Sequence, residues 1–313
     1  WMMDGPFRRP FVESVRPAGR DSNGIPELVR RDSFRIPNVT CRSWCIANAD
    51  TGELLLWNKP AERLQPASLT KVLTALVVME LAERLKQTAR ADFYKRKCVI
   101  STLASSFAFW TPEYGWNNGT NAKLKAGESY TVKQLLYALL LPSGNDAAVA
   151  LAEHFGLAFP PAPATGRPRD EMWEVGGPVD RFIGQMNRVA RRLGMVSDDP
   201  PTSVFVSPHG MNHEGNMSCA ADLIRFSMAA MRVKLFCKIV ATTTYRVPVS
   251  EADGRYEVKV WTNTNQLLRS KLLYFYDGVK TGWIPNAHDA KEWGCLVTRV
   301  GRIMAPPAHA AGL

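Results

Sequence analysis

Residues 66–86 read PASLTKVLTALVVMELAERLK, and this stretch gives the first indication of the fold. Pro66-Ala67-Ser68 opens a helix that we predict to run to about Lys86. The apolar residues that follow Lys71 fall on nearly every face of that helix, and a helix that is apolar all round is buried. Ser68 and Lys71 therefore lie on one face, at the inner end of a central helix.

The Ser-x-x-Lys spacing indicates a nucleophile beside its base. A serine is a poor nucleophile until a neighbour takes its proton. A lysine can do so only if burial or a nearby cation pulls its pKa toward neutral. The helix start adds N–H groups and the positive end of the dipole, which favour developing negative charge. By itself the spacing is weak evidence, because it arises by chance roughly once in a chain of this length.

A second motif is Ser143-Gly144-Asn145, within the sequence LPSGND. One interpretation is a plain helix N-cap, since Ser and Asn are common at that position. The other is a polar loop that faces the nucleophile. In that case Ser143 relays protons between Lys71 and a leaving amine, and the Asn145 amide binds the substrate backbone.

The third motif is Lys280-Thr281-Gly282, preceded by Asp277-Gly278-Val279. On an edge strand it offers a cation and a hydroxyl to an anionic group, and Gly282 permits close approach of another backbone. An extended substrate could add beside such a strand. The alternative is an exposed lysine in a β-turn. The order of the three motifs, on helix, loop and strand, is typical of penicillin-binding proteins and class A β-lactamases.

The remaining elements follow from hydrophobic periodicity and turn residues. We predict strands at 43–47 and 53–57 around a turn at 50–52, a loop at 101–119, helices at 131–141, 146–155, 179–193 and 220–233, a surface insertion at 158–178, and strands at 256–261, 278–283 and 294–300. Strands stand at both ends with helices between them. This order indicates an α/β (α+β) fold, in which an antiparallel sheet flanked by helices is closed by both ends of the chain around an inserted helical subdomain.

The sequence resembles the low-molecular-mass penicillin-binding proteins of the D-alanyl-D-alanine carboxypeptidase type over roughly residues 40–298. Beyond the three motifs, the matching stretches are DTGE at 50–53, LLYALLLPSGNDAA at 135–148, PHG at 208–210, NTN at 263–265 and DGVKTG at 277–282. The resemblance implies a β-lactamase/transpeptidase-like domain. We expect this domain at 36–300 with its helical subdomain at about 86–235, an irregular lead-in at 1–35 and an atypical tail at 301–313.

The resemblance also implies a mechanism. Ser68 attacks the carbonyl between the two terminal D-alanines of a peptidoglycan stem peptide, and Lys71 accepts its proton. The backbone N–H groups of Ser68 and Trp283 form the oxyanion hole, while Lys280 and Thr281 beside Gly282 hold the terminal carboxylate. Water then releases the acyl group. Penicillin and other β-lactams would acylate the same serine as inhibitors, and no metal or organic cofactor is implied.

Two departures from the family leave other functions open. Ile284 stands where the family commonly has Thr. The chain ends in APPAHAAGL at 305–313, and prolines do not suit a central strand. We therefore expect the last central strand to be missing and the family's C-terminal membrane anchor to be absent. The alternatives are a β-lactamase and a truncated, inactive paralogue with at most peptide-binding ability.

Composition limits the classes of partner that the protein is expected to bind. The chain has 313 residues and a formal net charge of +10, but its basic residues are dispersed, which indicates a solvated surface rather than a nucleic-acid-binding face. The longest apolar run, Val72–Leu81, is about half of a membrane span. No signal peptide is visible, and only the resemblance implies an extracytoplasmic location.

His209 and His213 have the spacing of helical zinc ligands, but the sequence PHGMNHEG that contains them cannot form a regular helix. We therefore expect structural histidines and no metal. The six cysteines lack the paired spacing of a zinc site, and we predict small buried side chains.

Overall fold

The computed structural model describes residues 39–85, 93–108, 119–162, 170–195, 202–250, 256–269, 276–285 and 292–300. Both termini, and with them the predicted lead-in at 1–35 and tail at 301–313, lie outside these ranges. The division into domain, subdomain and flanking segments stays a prediction. Within the described ranges no helix is both long enough and apolar enough to cross a membrane.

The predicted central helix is confirmed. A 3-10 turn at Ala67–Leu69 carries Ser68 and leads directly into helix α1, Thr70–Arg84. Every residue of α1 from Thr70 to Ala82 is buried. A fully buried leucine or valine stabilises the fold by about 1.5–3 kcal/mol relative to an exposed one, so this helix is a main contributor to the core.

Other helices pack around α1. They are α2 (Thr102–Ser106), α3 (Val132–Leu140), α4 (Asn145–Gly156), α5 (Pro178–Arg192), α6 (Ala220–Met231) and α7 (Lys234–Val240). Helix α1 contacts α3, α4, α5 and α6. The helices predicted at 131–141, 146–155, 179–193 and 220–233 are thus confirmed within a few residues. Helix α7 was not predicted, because it is too short to show a period.

The strands form antiparallel pairs. They are β1 (Trp44–Ala47) with β2 (Leu54–Asn58), β3 (Lys97–Val99) with β4 (Ser129–Thr131), β5 (Thr244–Ser250) with β6 (Tyr256–Thr262), and β7 (Tyr276–Pro285) with β8 (Glu292–Val300). The strands predicted at both ends of the chain are confirmed, and so is the α/β class. Strands β3, β4 and β5 were not predicted.

The two terminal hairpins, β1–β2 and β7–β8, both pack on α6. The sequence predicted one sheet shared by the two ends of the chain. In the part of the chain that the structure describes, the two hairpins are not hydrogen-bonded to each other. Residues 301–313, where the missing strand was predicted, are not among the described ranges.

The predicted loop at 101–119 is partly wrong, because it contains α2. Ser101 caps this helix: its Oγ accepts a hydrogen bond from Ala104 N at 2.9 Å and donates one to Glu153 Oε2 at 2.6 Å. These bonds fasten the short helix to α4, so a segment with little periodicity of its own becomes ordered by tertiary contacts. Residues 109–118 lie outside the described ranges.

The predicted surface insertion at 158–178 is also partly wrong. Phe159 and Trp173 are buried, and Trp173 Nε1 donates to the backbone oxygen of Val206 at 3.1 Å. The Pro- and Gly-rich composition that predicted a surface segment does not reveal that two aromatic side chains anchor its ends. Residues 163–169 lie outside the described ranges.

The prediction for the cysteines holds for part of the set. Cys98 and Cys219 are buried, Cys45 and Cys237 are partly buried, and Cys41 is exposed. The prediction of a buried side chain is therefore wrong for Cys41. These five cysteines are free thiols.

Candidate active site

Ser68 and Lys71 meet as the sequence predicted. Lys71 Nζ lies 2.8 Å from Ser68 Oγ and 2.8 Å from the backbone oxygen of His209. Lys71 is fully buried while Ser68 is partly exposed. Ala67, directly before the serine, has a φ of +49°, which is unfavourable for a residue with a Cβ. The backbone is thus held in a strained turn that presents the hydroxyl at the surface of the core.

The loop at residues 207–211 is hydrogen-bonded to the start of helix α1. Thr74 Oγ1 donates to the backbone oxygen of Pro208 at 2.6 Å, one helical turn beyond the Lys71 bond to His209. Gly210 lies so close that a Cβ there would be 2.0 Å from the Ala67 oxygen. The sequence predicted a structural His209, but it did not predict that this loop binds Lys71. The signal was available in the PHG match to the family.

The His209 imidazole is a buried neutral group. It is packed against Phe107 and Trp173, and its Nδ1 accepts from Met211 N at 3.0 Å. Burial, and then the nearby Lys71 charge, lower the pKa of His209 to about 3. Among the described residues no group of histidine, cysteine or carboxylate side chains could hold a metal ion.

The Ser143 motif is not a side-chain N-cap. Helix α4 begins at Asn145, and its N-cap is Gly144, with no side-chain capping bond. Ser143 and Asn145 are both buried, at 3% and 2% exposure, and Ser143 has a φ of +66°. Ser143 Oγ has no hydrogen-bond partner among the residues that the structure describes. The capping interpretation of this motif is therefore wrong.

Asp146 is a buried carboxylate that sequence reasoning did not select. It accepts hydrogen bonds from the backbone N–H groups of Ala122, Leu124 and Ala147 at 2.9–3.0 Å. Burial raises the pKa of the Asp146 carboxyl, while those three bonds and the Lys71 charge oppose the rise. Helix α4 also contacts α1, the helix that carries Lys71.

Lys280 lies on a strand that packs beside Ser68. Strand β7 packs against the Ala67–Leu69 turn. Lys280 is 1% exposed and its Nζ donates to the Thr281 backbone oxygen at 2.7 Å, so the interpretation as an exposed turn lysine is wrong. Gly282 pairs with Cys295 on β8, and Trp283 is about half exposed.

The segment 263–265 connects the second and third motifs. Thr264 N donates to the Leu141 oxygen at the end of α3, and Thr264 Oγ1 lies 2.6 Å from Thr281 Oγ1. Asn265 Nδ2 donates to the Gly278 oxygen at 3.0 Å. In the sequence this NTN stretch matches the family but suggests no role. The structure shows that it fastens β7 to the loop before Ser143.

Comparison with known proteins agrees with this geometry. A model of the peptidase S11 family, described as D-alanyl-D-alanine carboxypeptidase, matches residues 31–157 and 173–300. The D-alanyl-D-alanine carboxypeptidase DacF of Bacillus subtilis is 30% identical over 250 residues, which are 79% of this chain and 51% of that protein. The D-alanyl-D-alanine carboxypeptidase of Streptomyces sp. K15 is 30% identical over 255 residues, 80% of this chain and 75% of the relative.

Solved structures give the same result. The crystal structure of the Streptomyces K15 DD-transpeptidase superposes with a TM-score of 0.66 at 30% identity, covering 86% of this chain and 88% of that one. The chain spans about half the length of the Bacillus relative. The match extends over the segments that carry all three motifs, and the chain belongs to the peptidase S11 family of D-alanyl-D-alanine carboxypeptidases.

Proposed function

We propose that this protein is a serine-type D-Ala-D-Ala carboxypeptidase that removes the terminal D-alanine from peptidoglycan stem peptides and is acylated by β-lactams at the same serine. The observation that carries the proposal is the 2.8 Å contact between Lys71 Nζ and Ser68 Oγ at the start of a buried helix. Family membership gives the reaction class, and the site geometry supports the roles of the residues.

Acylation begins with proton transfer from Ser68 to Lys71. Burial disfavours the ammonium form of an amine, which makes a neutral base accessible. In the neutral form, Lys71 directs its lone pair to the Ser68 hydroxyl while the backbone oxygen of His209 still accepts one N–H. Ser68 Oγ then attacks the carbonyl carbon of the penultimate D-alanine. The carbonyl oxygen takes up the negative charge, and Lys71 becomes an ammonium.

Collapse of this intermediate breaks the C–N bond. The leaving amine of the terminal D-alanine needs a proton, which passes from Lys71 through the Ser143 hydroxyl. The Ser143 hydroxyl has no hydrogen-bond partner among the described residues, and a hydroxyl can accept from one side and donate to the other. The Asn145 amide binds the substrate backbone. Water subsequently hydrolyses the ester and regenerates Ser68.

Strand β7 suits an extended peptide. Among the described residues it pairs with β8, and it packs next to the Ser68 turn. A peptide can add to the edge of a strand through backbone hydrogen bonds. The N–H groups of Ser68 and Trp283 would bind the oxyanion. The charge of Lys280 and the hydroxyl of Thr281 would hold the terminal carboxylate beside Gly282.

The test combines a labelled penicillin with a peptide that ends in D-Ala-D-Ala. We expect stable labelling of the purified protein and release of D-alanine. Both should be lost in Ser68→Ala and kept in Ser43→Ala, whose hydroxyl donates to the Lys59 oxygen. A peptide with a C-terminal carboxamide should be a poor substrate, since it lacks the charge that Lys280 binds.

Other outcomes identify the alternatives. Rapid hydrolysis of penicillin without stable label would favour a β-lactamase. A folded protein that neither becomes labelled nor releases D-alanine would refute the enzymatic function and leave the inactive, peptide-binding paralogue.

A further inference from the structure

The position of the Ser143 hydroxyl depends on its backbone. Since Oγ has no hydrogen-bond partner among the described residues, side-chain bonds do not orient it. The backbone is held through Thr120, whose Oγ1 donates to the Ser143 oxygen at 2.7 Å and whose own oxygen accepts from Asn145 N at 3.0 Å. The segment 120–124 therefore determines where Ser143 and Asn145 lie.

Asp146 binds the segment 120–124 through hydrogen bonds to its backbone. Its two carboxylate oxygens bind the N–H groups of Ala122 and Leu124, and one of them also binds the N–H of Ala147 in the first turn of α4. A single buried carboxylate thus joins segment 120–124 to the helix that begins at Asn145. Its side chain is 0% exposed, so water does not compete for these bonds.

Gly144 shows how closely the carboxylate packs. A Cβ at this position would lie 2.6 Å from Asp146 Oδ1 and 2.8 Å from the Ala138 oxygen. Both distances are shorter than van der Waals contact permits. The middle residue of the Ser143 motif is therefore a glycine because the Asp146 carboxylate and the end of α3 fill the space beside it.

We propose that Asp146 is a positioning residue of the active site: it fixes the Ser143–Asn145 backbone through segment 120–124. This inference rests on the proposed acylation of Ser68. It adds a residue that touches neither substrate nor the reacting hydroxyl, yet sets the geometry in which the proton is transferred.

The experiment measures the rate of acylation by penicillin in the wild type, Asp146→Asn and a control, Asp222→Asn. Asp222 is equally buried in the first turn of α6, but its partners are Thr202, Ser203 and Arg225. We expect Asp146→Asn to slow acylation about ten- to a hundredfold, the effect of a small misplacement of a catalytic group.

The control separates positioning from a general loss of stability. Asp222→Asn also removes a buried carboxylate at the start of a helix, but it should be acylated at the wild-type rate. Equal slowing of acylation in Asp146→Asn and Asp222→Asn would overturn the proposal.

A milder variant tests the positioning role even if Asp146→Asn does not fold. Thr120→Val removes the bond to the Ser143 oxygen without changing any charge, so it should slow acylation as well. Wild-type rates in Thr120→Val would overturn the positioning role. Hydrogen exchange at residues 120–124 should rise in Asp146→Asn but not in Asp222→Asn. Because exchange needs no activity, failure of this inference is distinct from an unreactive wild type.

Discussion

Two residues of the site, Ala67 and Ser143, occupy the left-handed region of backbone space although neither is a glycine. Each costs on the order of 1–2 kcal/mol, which the surrounding contacts must offset. Ala67 is held by close packing of Gly210, and Ser143 by its bond from Thr120. At the scale of single residues, the site therefore depends on neighbours that hold Ala67, directly before Ser68, and Ser143 in strained positions. His209 is another such neighbour, and it gives a measurable pH dependence.

The substitution His209→Asn should weaken the pH dependence of the free energy of unfolding at acidic pH. The pKa of His209 is about 3 in the folded protein, against about 6.5 for an unfolded histidine. Between these values the unfolded chain binds a proton that the folded protein does not. The free energy of unfolding therefore has its full value above the pKa of the unfolded histidine. It falls as the pH drops toward the folded pKa, by up to about 1.4 kcal/mol per pH unit.

The measurement is urea unfolding of the wild type and His209→Asn at several pH values between the two pKa values. Asparagine keeps the acceptor for Met211 N but cannot bind the proton. His213→Asn is the control, since His213 Nδ1 makes the same kind of bond to Gly215 N at 2.9 Å in a less buried position. Equal pH slopes in the wild type and His209→Asn would contradict this explanation.

At the scale of elements, the site depends on a contact between the 3-10 turn at 67–69 and the loop at 207–211. Lys71 and Thr74, one helical turn apart, bind consecutive carbonyl groups of that loop. This pairing orients the whole N-terminal end of α1, and it requires that the loop approach the turn without an intervening side chain. Gly210 fulfils that requirement.

Gly210→Ala should separate the two elements. Its Cβ would be 2.0 Å from the Ala67 oxygen and 2.5 Å from Thr70 Oγ1, at a φ of +77°. We expect a loss of roughly 2–4 kcal/mol in the free energy of unfolding, from backbone strain together with overpacking. Penicillin acylation should fall as well, because the Lys71 bond to the loop is lost.

Gly176→Ala is the matched control for this change. Gly176 has the same φ of +77°, but a methyl group there would have no atom within 4 Å, so only strain is added. Its loss of stability should be about 1 kcal/mol, with acylation unchanged. If the two variants lost equal stability, the close approach of loop and turn would not be what requires Gly210.

At the scale of the whole molecule, a buried ion pair fastens the β5–β6 hairpin to the rest of the fold. Lys259 on β6 lies 2.6 Å from Glu128 Oε2 and 2.6 Å from the Lys123 oxygen, while Trp261 Nε1 donates to the Ala122 oxygen at 3.0 Å. The β5–β6 hairpin and Asp146 thus both form hydrogen bonds with segment 120–124. Parts of the chain more than a hundred residues apart together support the Ser143 motif.

Glu128→Gln should cost about 3–5 kcal/mol in the free energy of unfolding, because Lys259 then remains buried without its counter-charge. The double variant Glu128→Gln/Lys259→Met should recover a large part of this loss, since no unpaired charge is left. Glu257→Gln, which breaks the exposed Lys125–Glu257 pair, should cost no more than about 1 kcal/mol. Urea unfolding of all four proteins is the measurement, and similar losses for the buried and exposed pairs would refute the argument.

The sequence by itself determined what is local: the buried helix after Ser68, the helices of the central region, the hairpins at both ends and the three motifs. Periodicity and spacing express these features because they depend on residues that are close together in the chain. Short pieces such as β3, α2 and α7 gave no such signal, and they are ordered by contacts with distant elements.

Only the tertiary structure decided how the site is supported. The backbone oxygen of His209 reaches Lys71 across 138 positions of sequence, and Lys259 reaches Lys123 across 136. Asp146 could be read as an ordinary helix-start residue, since acidic side chains favour helix N-termini. Its function follows from which N–H groups it meets, and those are set by how the chain packs. Residue type and spacing define the reacting groups, whereas burial and long-range hydrogen bonds define the geometry in which they react.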